Sequence, residues 1–165
     1  MLEFGHDKKS GYWLRAEIFV EQSPETVFKF CSDARQLERI TPSMLNFKIL
    51  TPMPVEMKVG LLLDYQISIH KIPIKWCTEI AVCEPPYRLV YRQLKGPYHL
   101  WRHELTFEET DGGTLFISKV LYKPIGGALA HKLFVRRDLE KIFRYRQERI
   151  TEIFAAIPKH QPTEF

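Results

Sequence analysis

Apolar and polar residues alternate from Trp13 to Val20: Leu14, Ala16, Ile18 and Val20 fall on one side, Trp13, Arg15, Glu17 and Phe19 on the other. A period of two predicts a strand with one buried face. Ser23-Pro24-Glu25 then predicts a helix start, with serine as N-cap and proline at the first helical position. Val27, Phe28, Cys31 and Ala34 can share its buried face. Asp33 is placed to cap a second short helix carrying Leu37 and Ile40, which Thr41-Pro42 ends, because proline disfavours helical geometry in the residue before it. Phe47, Ile49 and Leu50 predict a short second strand, closed by Thr51-Pro52-Met53-Pro54. Gly60 turns the chain into Leu61 to His70, where Leu61, Leu63, Tyr65, Ile67 and Ile69 share a face. Residues 71–73 turn it again into Ile74, Trp76, Thr78, Ile80 and Val82, and Pro85-Pro86 ends that strand. Tyr87 to Gln93, His99 to Phe107 and Leu115 to Tyr122 complete the set, joined through Lys95-Gly96-Pro97 and Asp111-Gly112-Gly113. The pattern thus predicts seven strands.

Beyond Pro124 to Gly127 the period changes to 3.6. Nothing interrupts a helix from Ala128 to Ile157, and Val135, Leu139, Ile142, Arg146, Ile150, Ile153 and Ile157 form one stripe flanked by Phe143 and Phe154. A helix of about 30 residues is about 45 Å long, and the sheet is the one layer available for it to cover. An α+β architecture follows, a seven-stranded antiparallel curved sheet wrapped around a long C-terminal helix, with two short helices after strand 1 closing one end. Such a sheet encloses a volume that side chains need not fill.

The length of 165 residues suits one domain, expected over residues 1–165 with its core at about 13–157. A hydrophobic content of 45% lets a core form without disulfides or metal, and excludes disorder and fibrous classes. The formal charge of +4 is too slight to mark a nucleic-acid binder. Cys31, Cys77 and Cys83 are odd in number and lack CxxC spacing, which fits a reducing cytoplasm. Met1 to Ser10 is polar and offers no signal-peptide core, and the apolar runs fall far short of a membrane span. Walker, GxGxxG, HExxH, GxSxG and EF-hand patterns do not occur, so no cofactor and no metal are expected.

The order strand, two short helices, six strands, long helix resembles the helix-grip fold of the START-related, Bet v 1-like (SRPBCC) superfamily over about Trp13 to Phe154. Glu84-Pro85-Pro86, Gly96-Pro97-Tyr98, Trp101-Arg102-His103-Glu104 with Phe107, and Gly112-Gly113-Thr114 leading to Val120 and Tyr122 are similar to a bacterial branch labelled cell-division-inhibitor-like or polyketide cyclase/dehydrase-like. Similar domains occur fused to nucleotide-sugar-epimerase-like domains. Thr41-Pro42, Gly60 and Ile72-Pro73-Ile74-Lys75-Trp76 support the same branch. Two positions depart from it. Leu105 stands where the branch often has a second histidine, and Ser118 where it often has an acidic residue. The resemblance implies an internal cavity between sheet and helix that holds a lipid, isoprenoid, polyketide or other apolar ligand.

Candidate site residues follow from the faces. His99, Trp101 and His103 are expected on the face of Leu105 and Phe107. On a strand the two histidines lie roughly 13 Å apart, too far to share a metal ion. His103 reads either as a satisfied core histidine or as a polar anchor in an apolar cavity, and it is the candidate catalytic group if the protein is an enzyme. Tyr65, Trp76, Tyr91, Trp101 and Phe107 come from four strands and read either as plain core or as cavity lining, where buried hydroxyl and indole groups need partners. Arg102 and Glu104, on the opposite face from His103, read as solvated or cross-strand paired. Arg146, the one charge on the helix stripe, either snorkels to solvent or reaches the cavity and meets a ligand carboxylate or phosphate. Lys132, Arg136, Arg137, Lys141 and Arg144 form a basic block, read as a solvated face or as attraction to an anionic membrane surface at the pocket mouth. Asp138 and Glu140 interrupt it, which speaks against a nucleic-acid partner.

Binding or carriage of a small hydrophobic ligand is the leading expectation, without catalysis, in the cytoplasm. The alternative is a cyclase- or dehydratase-like enzyme acting on an apolar substrate in the same cavity. Thr51 to Gly60 and the Tyr122–Gly127 turn are the expected gate.

Overall fold

The structure, a computed structural model, describes residues 1–158. Residues 159–165, which the single-domain expectation included, lie outside the described residues. Eight antiparallel strands form one sheet: β1 (Leu2–Asp7), β2 (Gly11–Val20), β3 (Lys48–Ile49), β4 (Leu62–Ile69), β5 (Ile72–Glu84), β6 (Arg88–Lys95), β7 (Tyr98–Thr110) and β8 (Gly113–Pro124). Their order is β1-β2-β8-β7-β6-β5-β4-β3. The seven expected strands are all present, and β1 is added. Leu2 and Phe4 of β1 pack against the core, while the bare Cα of Gly5 lets the Trp13 ring lie so close that a Cβ there would stand 2.2 Å from it. The polar stretch after Gly5 hid this alternation in the sequence.

Helix α1 (Pro24–Cys31) starts as expected: Ser23 Oγ accepts the Thr26 N–H at 3.3 Å and Pro24 occupies the first turn. Helix α2 (Gln36–Arg39) follows, with Asp33 Oδ1 accepting the Arg35 N–H at 3.0 Å. Val27, Phe28, Phe30 and Ile40 from this pair bury against Phe107, Phe116 and Phe154, plugging one end of the curved sheet.

The long helix is helical throughout 127–155 but not uniform. It comprises α3 (Gly127–Ala130), a π-helical turn (His131–Val135) and α4 (Arg136–Ala155). Gly126 and Gly127 start it at φ 88° and 62°, where a Cβ would be strained. His131 is held to the sheet, with Nε2 hydrogen-bonded to Tyr122 Oη at 2.9 Å and the ring stacked on Tyr12 at 3.6 Å. The wider turn leaves Leu133 and Phe134 exposed, whereas Leu139, Phe143, Ile150 and Phe154 of α4 bury against the sheet.

Two irregularities move side chains between faces. A register shift between Ile80 and Val82 brings Cys83, rather than Val82, against the core. Another between Tyr98 and Leu100 turns His99 outward, where it is exposed, and Tyr98 inward. His99 therefore does not share the face of Trp101 and His103, because one extra residue in a strand inverts every parity beyond it.

Candidate functional site

Between sheet and α4, the two core clusters leave a cavity of about 980 Å³. Alternation places its wall: Leu63, Tyr65 and Ile67 project from β4, Trp76 and Thr78 from β5, Tyr91 from β6, Trp101 and His103 from β7, and Ser118 from β8. Leu139, Phe143, Arg146 and Ile150 face them from α4 at the spacing of one helical stripe. Six of the residues singled out in the sequence, Tyr65, Trp76, Tyr91, Trp101, His103 and Arg146, border this space. Phe107 does not. It has the inward parity, but α1 covers that end of the sheet, and Phe107 packs between Phe28 at 5.5 Å and Phe116 at 5.2 Å.

The aromatic wall is interlocked. Tyr65 and Trp76 are register partners across β4 and β5 and stack at 5.8 Å, and Trp101 meets Trp76 edge-on at 5.3 Å. Tyr98, brought in by the β7 irregularity, sits 4.7 Å from Trp101. The hydroxyls find partners on the wall itself: Tyr65 Oη with Thr78 Oγ1 at 3.3 Å, and Tyr91 Oη donating to the Cys31 carbonyl at 3.2 Å. Burial pushes both phenols well above their ordinary pKa, and pushes the Cys31 thiol up to about 12, so all three stay protonated at neutral pH.

His103 Nε2 and Ser118 Oγ stand 2.6 Å apart in a hydrogen bond. Burial, with the Arg146 charge adding to it, holds the imidazole down to about 3, so it is neutral at neutral pH. A histidine held there is neutral and a weak base, and no carboxylate pairs with it among the described residues. Ser118 was legible as a polar residue on the apolar face of Phe116, Val120 and Tyr122. Its pairing with His103 was not, since that depends on register.

Arg146 reaches the cavity rather than bulk water. Its guanidinium carbon lies 5.1 Å from the Phe143 ring centre, and its Nε is fully buried without a hydrogen-bond partner. On the outer face of the sheet, Glu104 receives Arg88 of β6 across the strands at 2.6 Å, and Arg102 of its own strand at 2.8 Å.

The mouth lies at the other end of the barrel-like curve from α1. Pro124-Ile125, Leu133-Phe134 and the β4–β5 turn at His70-Lys71 border it. His70 Nε2 bonds Asp138 Oδ2 at 2.7 Å, linking that turn to α4 across the opening. Of the two segments expected to form a gate, the Tyr122–Gly127 turn borders the opening through Pro124 and Ile125. Residues 51–60 are not part of the wall, because Met53, Val55 and Met57 pack on the α1 side of the core. Lys71, Arg137 and Lys141 ring the same opening.

Comparison with known proteins gives the family and the fold. The family described as polyketide cyclase / dehydrase and lipid transport matches residues 20–151. The chain belongs to that family. No curated protein sequence matches it significantly. Among solved structures, an Arthrobacter aurescens protein superposes with a TM-score of 0.70 at 15% identity, covering 93% of this chain and 91% of its own. A Rhodobacter sphaeroides protein gives 0.69 at 15% identity over 94% and 99% of the two chains. A nucleoside-diphosphate sugar epimerase from Corynebacterium glutamicum gives 0.60 at 20% identity, over 84% of this chain but 28% of its own. The family match places the chain in the SRPBCC superfamily, and these likenesses agree on its helix-grip fold. Among the described residues, no helix is long and apolar enough to cross a membrane.

Proposed function

We propose that this family member binds and carries a small hydrophobic molecule, such as a lipid, an isoprenoid or a polyketide-like compound, between the sheet and α4. One observation carries the reading: the interior is a cavity of about 980 Å³ walled by aliphatic and aromatic side chains, in a chain with ample residues to fill it. Protein interiors normally pack to crystal-like density, and ligand pockets run from about 300 to 1,000 Å³. A chain burying about 300 Å² of apolar surface gains about 7–8 kcal/mol, before the cost of association. The hydroxyls of Tyr65, Thr78, Tyr91 and Ser118 and the His103 ring already have partners in the protein, so these groups shape the space without demanding a polar ligand body. A neutral His103 with no carboxylate beside it favours carriage over cyclase- or dehydratase-like chemistry. Free Cys31, Cys77 and Cys83 suit a cytoplasmic carrier.

Loading from an anionic membrane surface fits the rim. Ile125, Leu133 and Phe134 are all more than half exposed there, as is Leu129 beside them on α3. Lys132, Arg136, Arg137 and Lys141 have no acidic partner among the described residues, whereas Arg144 pairs with Glu140. Apolar tips flanked by unpaired cations match an interfacial lipid layer.

Native mass spectrometry of freshly purified protein, followed by organic extraction and Nile red titration, tests the first reading. A discrete lipid-like mass, or saturable uptake of one Nile red per chain, is the expected result. Bare protein mass with no dye uptake overturns it. Flotation with phosphatidylglycerol vesicles tests the second: binding should weaken in Leu133→Asp/Phe134→Asp, and a wild-type protein that stays with the soluble fraction refutes it.

A further inference from the structure

Polar groups on the cavity wall differ in how far they are satisfied. Tyr65, Tyr91, His103, Ser118 and Thr78 are hydrogen-bonded within the wall. Arg146 Nε and Trp76 Nε1 are fully buried and have no partner. Both are pure donors, with no lone pair to offer. The unmet hydrogen-bonding demand of the wall at these atoms is therefore for an acceptor.

Arg146 adds a charge to that demand. Several arginines have acidic partners, as Arg88 and Arg102 do in Glu104 and Arg144 does in Glu140, and those without one, such as Arg137, stand exposed at the surface. Among the described residues, no ion pair involves Arg146. Burial lowers its pKa, and among the described residues Tyr65, Tyr91 and Cys31 counter this. None of the three is an anion at neutral pH, because burial pushes each of them up. Nor does the guanidinium escape its charge, since arginine keeps its proton in proteins. The face of Phe143 offsets part of the cost through cation–π attraction. A half-buried cation remains whose Nε is fully buried without a partner, and leaving such a charge unpaired in an apolar wall is unfavourable.

We propose that Arg146 is the anchor for an anionic group, a carboxylate or a phosphate, on an otherwise apolar ligand, so that the cavity selects anionic amphiphiles over neutral ones. This rests on the carrier reading above and narrows its ligand class. Access fits the geometry: the anionic end enters first past Lys71, Arg137 and Lys141 at the rim and meets Arg146 deeper in the wall, while the apolar tail takes the aromatic space. Trp76 Nε1 provides a second donor to an acceptor on the same ligand.

The test measures the affinities of palmitate, hexadecyl phosphate and hexadecanol, three ligands with the same tail and different ends, by displacement of Nile red from delipidated full-length protein. At least one of the two anions should bind roughly tenfold or more tighter than the alcohol, the scale of one charge-assisted hydrogen bond. Which anion is favoured separates a carboxylate source from a phosphate source. In Arg146→Met, of similar length and without charge, the anion-to-alcohol ratio should collapse toward one. In Arg146→Lys, which keeps a charge but loses the planar fork, part of the ratio should survive. Equal binding of all three by the wild type overturns the anion anchor while leaving the carrier reading standing, as does a ratio unchanged in Arg146→Met. Failure of all three to bind overturns both.

Discussion

His103 offers a pH-dependent measurement that depends directly on the enclosure of the cavity. Its imidazole is bonded to Ser118, lies 6.1 Å from the Tyr91 ring and 5.8 Å from the Phe143 ring, and senses Arg146 as its only charged neighbour among the described residues. Burial first, and that cation second, bring it down to about 3, whereas in the unfolded chain it returns to about 6.5. The folded value is the lower one, so the unfolded chain takes up the proton first as the pH falls. The contribution is fully present above about pH 6.5 and drains away toward about pH 3, with a slope of up to about 1.4 kcal/mol per pH unit. Between about pH 7 and pH 5 this amounts to about 2 kcal/mol, reduced toward about 1 kcal/mol by water in the cavity bordering the ring. Carboxylates held below their usual range, such as Asp33 and Glu104, lose stability only at lower pH and leave this window clear. His131, which burial also lowers, contributes to the same window, so the comparison must be with His103→Gln, in which an amide can still meet Ser118. Urea denaturation of both proteins across this range should show the wild type losing about 1–2 kcal/mol more than the variant. Parallel curves, or an imidazole NMR titration of His103 near about 6.5 in the folded protein, refute the claim that its place in the wall holds the ring neutral.

Three further outcomes follow from placement. Phe107→Ala should cost about 3–5 kcal/mol in urea denaturation, since the ring is core between Phe28 and Phe116, and should leave Nile red affinity near the wild-type value. Trp101→Ala should do the reverse, changing dye affinity severalfold at a smaller stability cost, because the indole is half-buried on the cavity wall. Asp138→Ala removes the His70 link across the mouth, and stopped-flow release of Nile red should quicken severalfold while stability shifts by less than about 1 kcal/mol, the range of exposed ion pairs.

How far the sequence reveals this protein depends on the range of the information. Ser23-Pro24, the alternation of β4 and the stripe on α4 are local patterns, and each forms the element it predicts. The face of a strand residue is also local, but only until the register shifts. Tyr65 and Trp76 lie on the expected face, whereas His99 and Val82 do not, because a bulge is set by the partner strand and leaves no mark in the strand's own sequence. Phe107 shows a second limit. Parity identifies the inner face, yet whether that face meets space or another helix depends on where α1 lands, which is a tertiary fact. The His70–Asp138 link spans 68 residues and could not be read from either neighbourhood.

Arg146 joins these two kinds of information. Its place on an apolar stripe was local and visible, and that position alone allowed either a snorkelling side chain or a cavity anchor. The choice between them turns on what surrounds it. The tyrosines and Cys31 around it are neutral, so they provide polar surroundings without a counter-charge. An apolar substitution at this position would fill the same stripe without the desolvation cost, and exchanges of buried charges for apolar groups often raise stability. If Arg146→Met is more stable than the wild type in urea denaturation, the cation is being kept at the expense of the fold. A less stable Arg146→Met would instead assign it a structural role through the Phe143 ring and remove the reason to expect an anion there.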